Sequence, residues 1–380
     1  MTPPYSGHRN RMAVLSLAIL LLAPSVLGHV AVWHKGMYCL NGTIPGVDVL
    51  DNNAPVSPLF NLSREDWWMH HVNKCDEFPP DDGDFLELPA GGSFVTELAV
   101  NRAFTSLSYN GSRIGTFIDG QEHPGLGETS EGKSAEGCIT EINIHTMNES
   151  MAAGTAFAIS YNSDIKAVTP ENLVVFTVLY HTPWHRVAEY KVPDLPACPP
   201  GGCHCAWGWV ANGCGMPNMY MQPLRCKVVG QTGSKEVAPG KPPVWCEDDP
   251  SRCVSGPKQM VFWHQLEGNN VDVSGFDLSG RARSPAYNNK MGFSEGAQTD
   301  IFLDNDSATP TFITPGPSST PPGFSEPAFT SGSGSNGSEP TFTSGPGANG
   351  VRDISGFLSL VTTVLSCATL QLSCIYLYLI

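Results

Sequence analysis

Ten of the twelve cysteines fall between Cys39 and Cys253, and the compartment in which the chain matures decides what they become. The first residues, 1–28, read as a secretory leader. Arg9 and Arg11 flank Ala13 to Leu22, an apolar run too short to span a bilayer, and Val26 and Gly28 fit the minus-three and minus-one positions of a signal-peptidase site. In the oxidising space beyond, an even number of thiols reads as a disulfide framework. "CPPGGCHCAWGWVANGCG" (Cys198, Cys203, Cys205, Cys214) has the outline of a zinc site, but such thiols oxidise outside the cell. Pairings are not readable from spacing. A chain stapled in this way holds long loops on a modest amount of regular structure.

The regular structure is β. "SFVTELAV" (Ser93 to Val100) places Phe94, Thr96, Leu98 and Val100 on one face, and "AFAISY" (Ala156 to Tyr161) places Phe157, Ile159 and Tyr161 on one face with small residues opposite. "LVVFTVLY" (Leu173 to Tyr180) is apolar on both faces and predicts a central strand. Further strands are predicted at Met219 to Val229 and Met260 to Leu266. Short strands broken by Gly, Pro and Asn turns predict an all-β domain over 29–300, an antiparallel β-sandwich with long disulfide-tied loops.

Past that domain the composition changes. Residues 301–350 are rich in Ser, Thr, Gly and Pro, and "SEPAFTSG" at Ser325 returns as "SEPTFTSG" at Ser338. Such a segment buries too little apolar surface to offset its ordering entropy and reads as a glycosylated stalk. In 351–380 a short polar spacer leads to an apolar tail, preceded by the small residues Gly347, Ala348 and Asn349; this is the pattern of a removable glycosylphosphatidylinositol signal. The expectation is a secreted protein held at the cell surface, touching the membrane through a lipid alone. Its formal charge of -15 becomes -17 once Arg9 and Arg11 leave, which argues against a nucleic-acid partner. Sequons at Asn41, Asn61, Asn110, Asn148, Asn305 and Asn336 agree with a glycosylated exterior.

Cleavage after Gly28 makes His29 the first residue. An N-terminal histidine chelates a metal through its α-amine and its own Nδ1, and a second histidine completes three nitrogens in a plane. Tetragonal nitrogen ligation suits copper(II). The amine sheds its proton readily, because its ordinary pKa is about 8. His145, in a polar loop just before a predicted strand, is the leading second ligand, and His123 in a Gly-rich loop is its main rival. His34 is five residues from His29 and faces the other way in an extended segment. His181 and His185 flank Pro183, which prevents a helical pair, and the adjacent His70 and His71 diverge in a strand.

The stretches "HVAVWHKGMYCLNGT", "LPAGGSFVTELAVNRAFTSL", "HTMNESMAAGTAFAISYNSDI", "CAWGWVANGCGMPNMYMQPLRC" and "VSGPKQMVFWHQLEGNNVDVSG" resemble fungal lytic polysaccharide monooxygenases of auxiliary-activity family fourteen, over roughly His29 to Asn289. The resemblance implies an immunoglobulin-like β-sandwich and one copper ion in a histidine brace. It places the ligands on His29 and His145 and an axial tyrosine on Tyr220. Asn218 stands two residues before Tyr220, where related families carry a longer glutamine beside the oxygen site. The implied reaction is oxidation of a glycosidic carbon in xylan coating cellulose, or in cell-wall glycan, with electrons from an external donor. Tyr38, Trp33, Trp67 and Trp68 are the aromatics considered for docking the polymer, with a place in the core favoured for each because large aromatics are mostly buried. A different class of function, copper acquisition at the cell surface without glycan oxidation, shares His29, a second histidine and the tether.

Overall fold

Alternating side chains set the strands in the computed structural model, which describes residues 29–124, 126, 144–146, 148–211, 217–276 and 282–303. In β3 (Ser93–Ala99), Phe94, Thr96 and Leu98 point inward while Val95 is 53% exposed. β3 pairs antiparallel with β1 (Ala31–Trp33) on one side and β6 (Val187–Lys191) on the other, giving a three-stranded sheet with Phe94 opposite Tyr190. The facing sheet has six strands in the order β2 (Leu86–Pro89), β8 (Met219–Val229), β7 (Cys203–Val210), β4 (Thr155–Ser160), β5 (Val174–Leu179) and β9 (Gly296–Ala297). The two-sheet, all-β expectation is met. One pairing departs from a purely antiparallel arrangement: β2 runs parallel to β8, Leu86 opposite Cys226.

Two apolar layers explain why β4 and β5 are buried on both faces. Between the sheets lie Trp33, Phe94, Phe157, Phe176, Tyr190 and Trp207. On the outer face of the large sheet, the small side chains Ala156, Ala158 and Ala206 meet a layer of loops carrying Trp67, Phe262, Tyr287 and Phe293. The approach is close. A Cβ added at Gly208 in β7 would stand 2.5 Å from Met260 Cε and 2.6 Å from the Tyr287 hydroxyl.

Four of the five predicted strands form. The stretch from Met260 to Leu266 does not, although it is apolar. Several of its backbone N–H groups go to side chains instead of a neighbouring strand: Val261 donates to the Tyr287 hydroxyl at 3.1 Å, Phe262 to Asn270 Oδ1 at 2.8 Å, and Gln265 to Asn269 Oδ1 at 2.9 Å. Local Asn and Tyr oxygens therefore outcompete a ladder. The loops are stapled by Cys39–Cys75, Cys198–Cys203, Cys205–Cys226 and Cys246–Cys253. The zinc reading of the Cys198 cluster fails accordingly for those cysteines that are described; Cys138 and Cys214 lie outside the described residues. The leader, stalk and tail lie outside them too, whereas Ile301 is buried and Phe302 bridges to Val237.

One buried histidine ties stability to pH. His70 is fully enclosed, with Nδ1 3.3 Å from the Met221 carbonyl oxygen and Nε2 3.2 Å from that of Ala54. Burial, only partly offset by these carbonyls and by Asp76, brings its pKa down from 6.5 to about 4. The unfolded chain binds this proton below pH 6.5 and the folded chain does not until about pH 4, so stability falls with pH across that window. The loss should reach on the order of 3 kcal/mol at its lower edge. Urea denaturation at pH 7 and at pH 4.5 should show the midpoint falling less in His70→Gln than in the wild type. Equal falls would place the sensitive group elsewhere.

Candidate metal centre

His29 sits two residues before β1, half-buried, and its imidazole pKa is lowered from 6.5 first by burial and second by the charge of His145. Two histidines far apart in sequence thus stand close enough to repel one another as cations. His145 is itself buried, with a left-handed backbone (φ 55°). For a non-glycine residue that conformation is uncommon and costs about 1 kcal/mol. Its ring meets Trp209 edge-on, centroids 6.0 Å apart.

Trp209 and Tyr220 are cross-strand neighbours on β7 and β8, so their side chains share one face, and their rings stack at 4.6 Å and 19°. Tyr220 is almost fully enclosed. Burial pushes its phenol well above the ordinary tyrosine range, opposed by a hydrogen bond from the Asn218 side chain. His29, His145, Trp209, Tyr220 and Asn218 therefore form a continuous run at one end of the sandwich. Trp209 is the member that sequence reasoning passed over. Its signal was present: Cys205, Trp207 and Trp209 alternate in "CAWGW", marking one inward face.

The other histidines are engaged elsewhere. His123 Nε2 meets the Asp119 carboxylate at 2.7 Å, and its ring packs edge-on against Phe117. His34 Nδ1 accepts the Gly36 N–H at 3.0 Å, and burial with the nearby Lys35 charge lowers its pKa to about 4 despite Asp84 and Glu87. His181 Nδ1 reaches the Ser150 carbonyl at 3.1 Å, and His185 Nε2 lies 3.7 Å from Glu149. His71 pairs with Asp76 at 2.9 Å. Among the described residues no three or more His, Cys, Asp or Glu side chains gather in a metal-holding group.

The docking candidates go mostly to the core, the place favoured for them. Trp33, Tyr38 and Trp67 are buried, and Tyr38 is spent inside the fold, its hydroxyl donating to His204 Nε2 at 2.9 Å while His204 Nδ1 donates to the Asn162 carbonyl at 2.8 Å. Large aromatics in a small sandwich are recruited to the core first. Trp68 alone of the four is half-buried, with Arg64 over its ring. Of the sequons, Asn41, Asn61 and Asn110 are exposed; Asn305 and Asn336 lie outside the described residues. Asn148 caps the turn after His145, its Oδ1 accepting from Met151 N at 3.1 Å and Ser150 Oγ at 2.8 Å.

Residues 11–364 match the family described as Lytic polysaccharide monooxygenase AA14. The chain belongs to this family. It is 35% identical over 303 residues to AA14 family lytic polysaccharide monooxygenase B of Pycnoporus cinnabarinus, covering 77% of this chain and 75% of that one. It is 35% identical over 305 residues to AA14 family lytic polysaccharide monooxygenase B of Talaromyces rugulosus, covering 77% and 99%. As a lytic polysaccharide monooxygenase the chain is a copper-dependent oxidoreductase acting on polysaccharide. Two imidazoles that act on one another electrostatically would suit copper(II), which favours nitrogen donors.

Proposed function

We propose that the mature chain begins at His29 and holds one copper ion through the His29 α-amine, His29 Nδ1 and His145, and that it oxidises xylan lying on cellulose. The observation that carries this is the proximity of His29 and His145, registered in the effect of one charge on the other. Copper bound there supplies the one-electron chemistry that activates dioxygen or peroxide toward a glycosidic C–H bond.

The residues of this chain prepare that centre. A lowered pKa keeps the His29 imidazole neutral, and hence ligating, at ordinary pH. Tyr220 stays a protonated phenol because burial penalises its anion, so it would border a bound copper as a neutral group. Asn218 holds that phenol by its hydrogen bond instead of reaching for oxygen as a longer glutamine would. Trp209 packs between the Tyr220 ring and His145 and fixes both. In this reading the leader is removed in secretion, an external donor supplies electrons, and a lipid anchor keeps the enzyme beside polymer at the cell surface.

The test is an electron paramagnetic resonance spectrum of the copper-loaded protein starting at His29, beside one carrying a single extra alanine before it. An axial, nitrogen-rich signal in the first that collapses in the second is the expected result. Identical spectra would remove the amine from the site. Release of oxidised xylo-oligosaccharides from xylan-coated cellulose separates the oxygenase from a copper carrier, which would bind the metal and release none.

A further inference from the structure

At the same end of the large sheet as the proposed copper site lies a cleft of about 420 Å³, within the ~300–1,000 Å³ span of small-ligand sites. Its floor is the segment Ser150 to Ala153, which follows directly on the turn after His145. Ala153 precedes Thr155 by two residues, and Thr155 is the cross-strand partner of Trp209. The floor therefore begins about 7 Å of extended chain away from the strand pair that carries Trp209 and Tyr220. The opposite wall is 284–290, held in place by Asn288 Nδ2 donating to the Ala153 carbonyl at 3.2 Å and by Cys246 N donating to the Lys290 carbonyl at 2.9 Å. The Cys246–Cys253 disulfide anchors that second contact.

We propose that this cleft is a binding subsite for neutral sugar units of the polysaccharide, extending from the copper centre; the inference rests on placing that centre at His29 and His145. The chemistry of the lining selects the ligand. Charges at the rim are already compensated: Lys290 Nζ is 3.2 Å from Glu247. His181 is committed to the Ser150 carbonyl, and the Tyr180 hydroxyl to the Phe293 carbonyl. Two polar side chains lining the cleft, Ser284 and Asn289, have no hydrogen-bond partner among the described residues. Between them the lining is apolar: Ala152, Ala153, Ala286 and Met151, the last 40% exposed. A hydroxyl and a carboxamide beside small apolar side chains and a phenol ring match a pyranose, which offers C–H faces and a rim of hydroxyls and carries no charge. An anionic sugar would have to share Lys290 with Glu247, whose like charge stands beside it at the exposed rim.

The experiment uses the processed protein stripped of copper, so that the subsite is read apart from the metal. Xylohexaose is titrated calorimetrically into the wild type, Asn289→Ala and Ser284→Ala. The expected result is measurable binding without copper, weakened at least tenfold in Asn289→Ala and measurably in Ser284→Ala, with the copper-loaded spectrum of both variants unchanged. If the alanine-extended protein keeps an unchanged copper signal while the copper-free protein still binds xylohexaose through Asn289 and Ser284, the subsite stands and the brace falls. Binding indifferent to both substitutions overturns the proposal, as does loss of binding only in Trp263→Ala or Phe60→Ala, half-buried rings packed against the exposed His264. Binding that appears only in Asn148→Gln would assign the cleft to the chain's own glycan. Tighter binding of an aldouronic acid that is lost in Lys290→Ala would overturn the neutral-sugar assignment.

Discussion

Replacing His145 by alanine should weaken copper(II) binding by the mature protein more than ~100-fold, whereas His123→Ala should leave it unchanged. Disturbing groups around a metal ligand already costs 10–100-fold, so removing a ligand itself costs more. The reasoning is geometric. His145 acts electrostatically on His29, while the His123 ring is held by Asp119 at 2.7 Å. The alanine variant retains the His29 amine and Nδ1, so weak two-nitrogen binding survives with an altered spectrum. A misfolded variant would mimic the loss, and the backbone supplies a control. At φ 55° His145 is strained, and His145→Gly relieves that strain while deleting the same ligand. Both variants should lose tight binding, the glycine form at equal or higher thermal stability than the alanine form. Competition titration against a copper chelator measures the affinities. Loss of affinity in His123→Ala with none in His145→Ala would reverse the assignment.

Phe157→Ala should cost about 3–5 kcal/mol of folding free energy, with a melting temperature lowered by roughly 10 °C. Phe157 is fully enclosed between the two sheets. It meets Phe94 edge-on at 5.1 Å and Tyr190 edge-on at 4.8 Å, and is tilted against Phe176 at 6.5 Å. These contacts come from both sheets, so the void left by alanine cannot be closed by moving one strand. Val95→Ala, on the outward face of β3, is the matched control and should stay within ~0.5 kcal/mol. Urea denaturation with an unchanged slope would show a pure loss of native stability. A change below 1 kcal/mol in Phe157→Ala would mean that the two sheets share less of their core than the packing of these rings implies.

Alternation made β3 and β4 legible in the sequence and an unbroken apolar run made β5 so, because a strand writes the burial of each face into every second residue. It failed at Met260 to Leu266 for a reason invisible to hydropathy. The partners of that backbone are side chains of Asn269, Asn270 and Tyr287, brought there by the fold. Size favours the core for all four docking aromatics, and Trp33, Tyr38 and Trp67 are there, but size does not say that Trp68 would be the one left half-buried. The meeting of His29 with His145 depends on where the loop before β4 lands, and reasoning from residue types alone left His123 open beside it. Trp209 was readable by its alternation with Cys205 and Trp207, yet its contact with His145 required the register of β7 against β4 and β8.

The parallel pairing of β2 with β8 has a consequence for synthesis in the cell. About 140 residues separate Leu86 from its partner segment, so the edge of the large sheet stays open while the chain is being made. At ribosomal speed that interval lasts roughly 7–30 s, far longer than local hairpins take to form. β2 waits throughout that time with Leu86 and Leu88, both destined for the core, unpartnered at the sheet edge. The nascent chain thus carries an unpaired sheet edge until residue 229 emerges, and yield on overexpression should be governed by that wait more than by the stability of the finished sandwich.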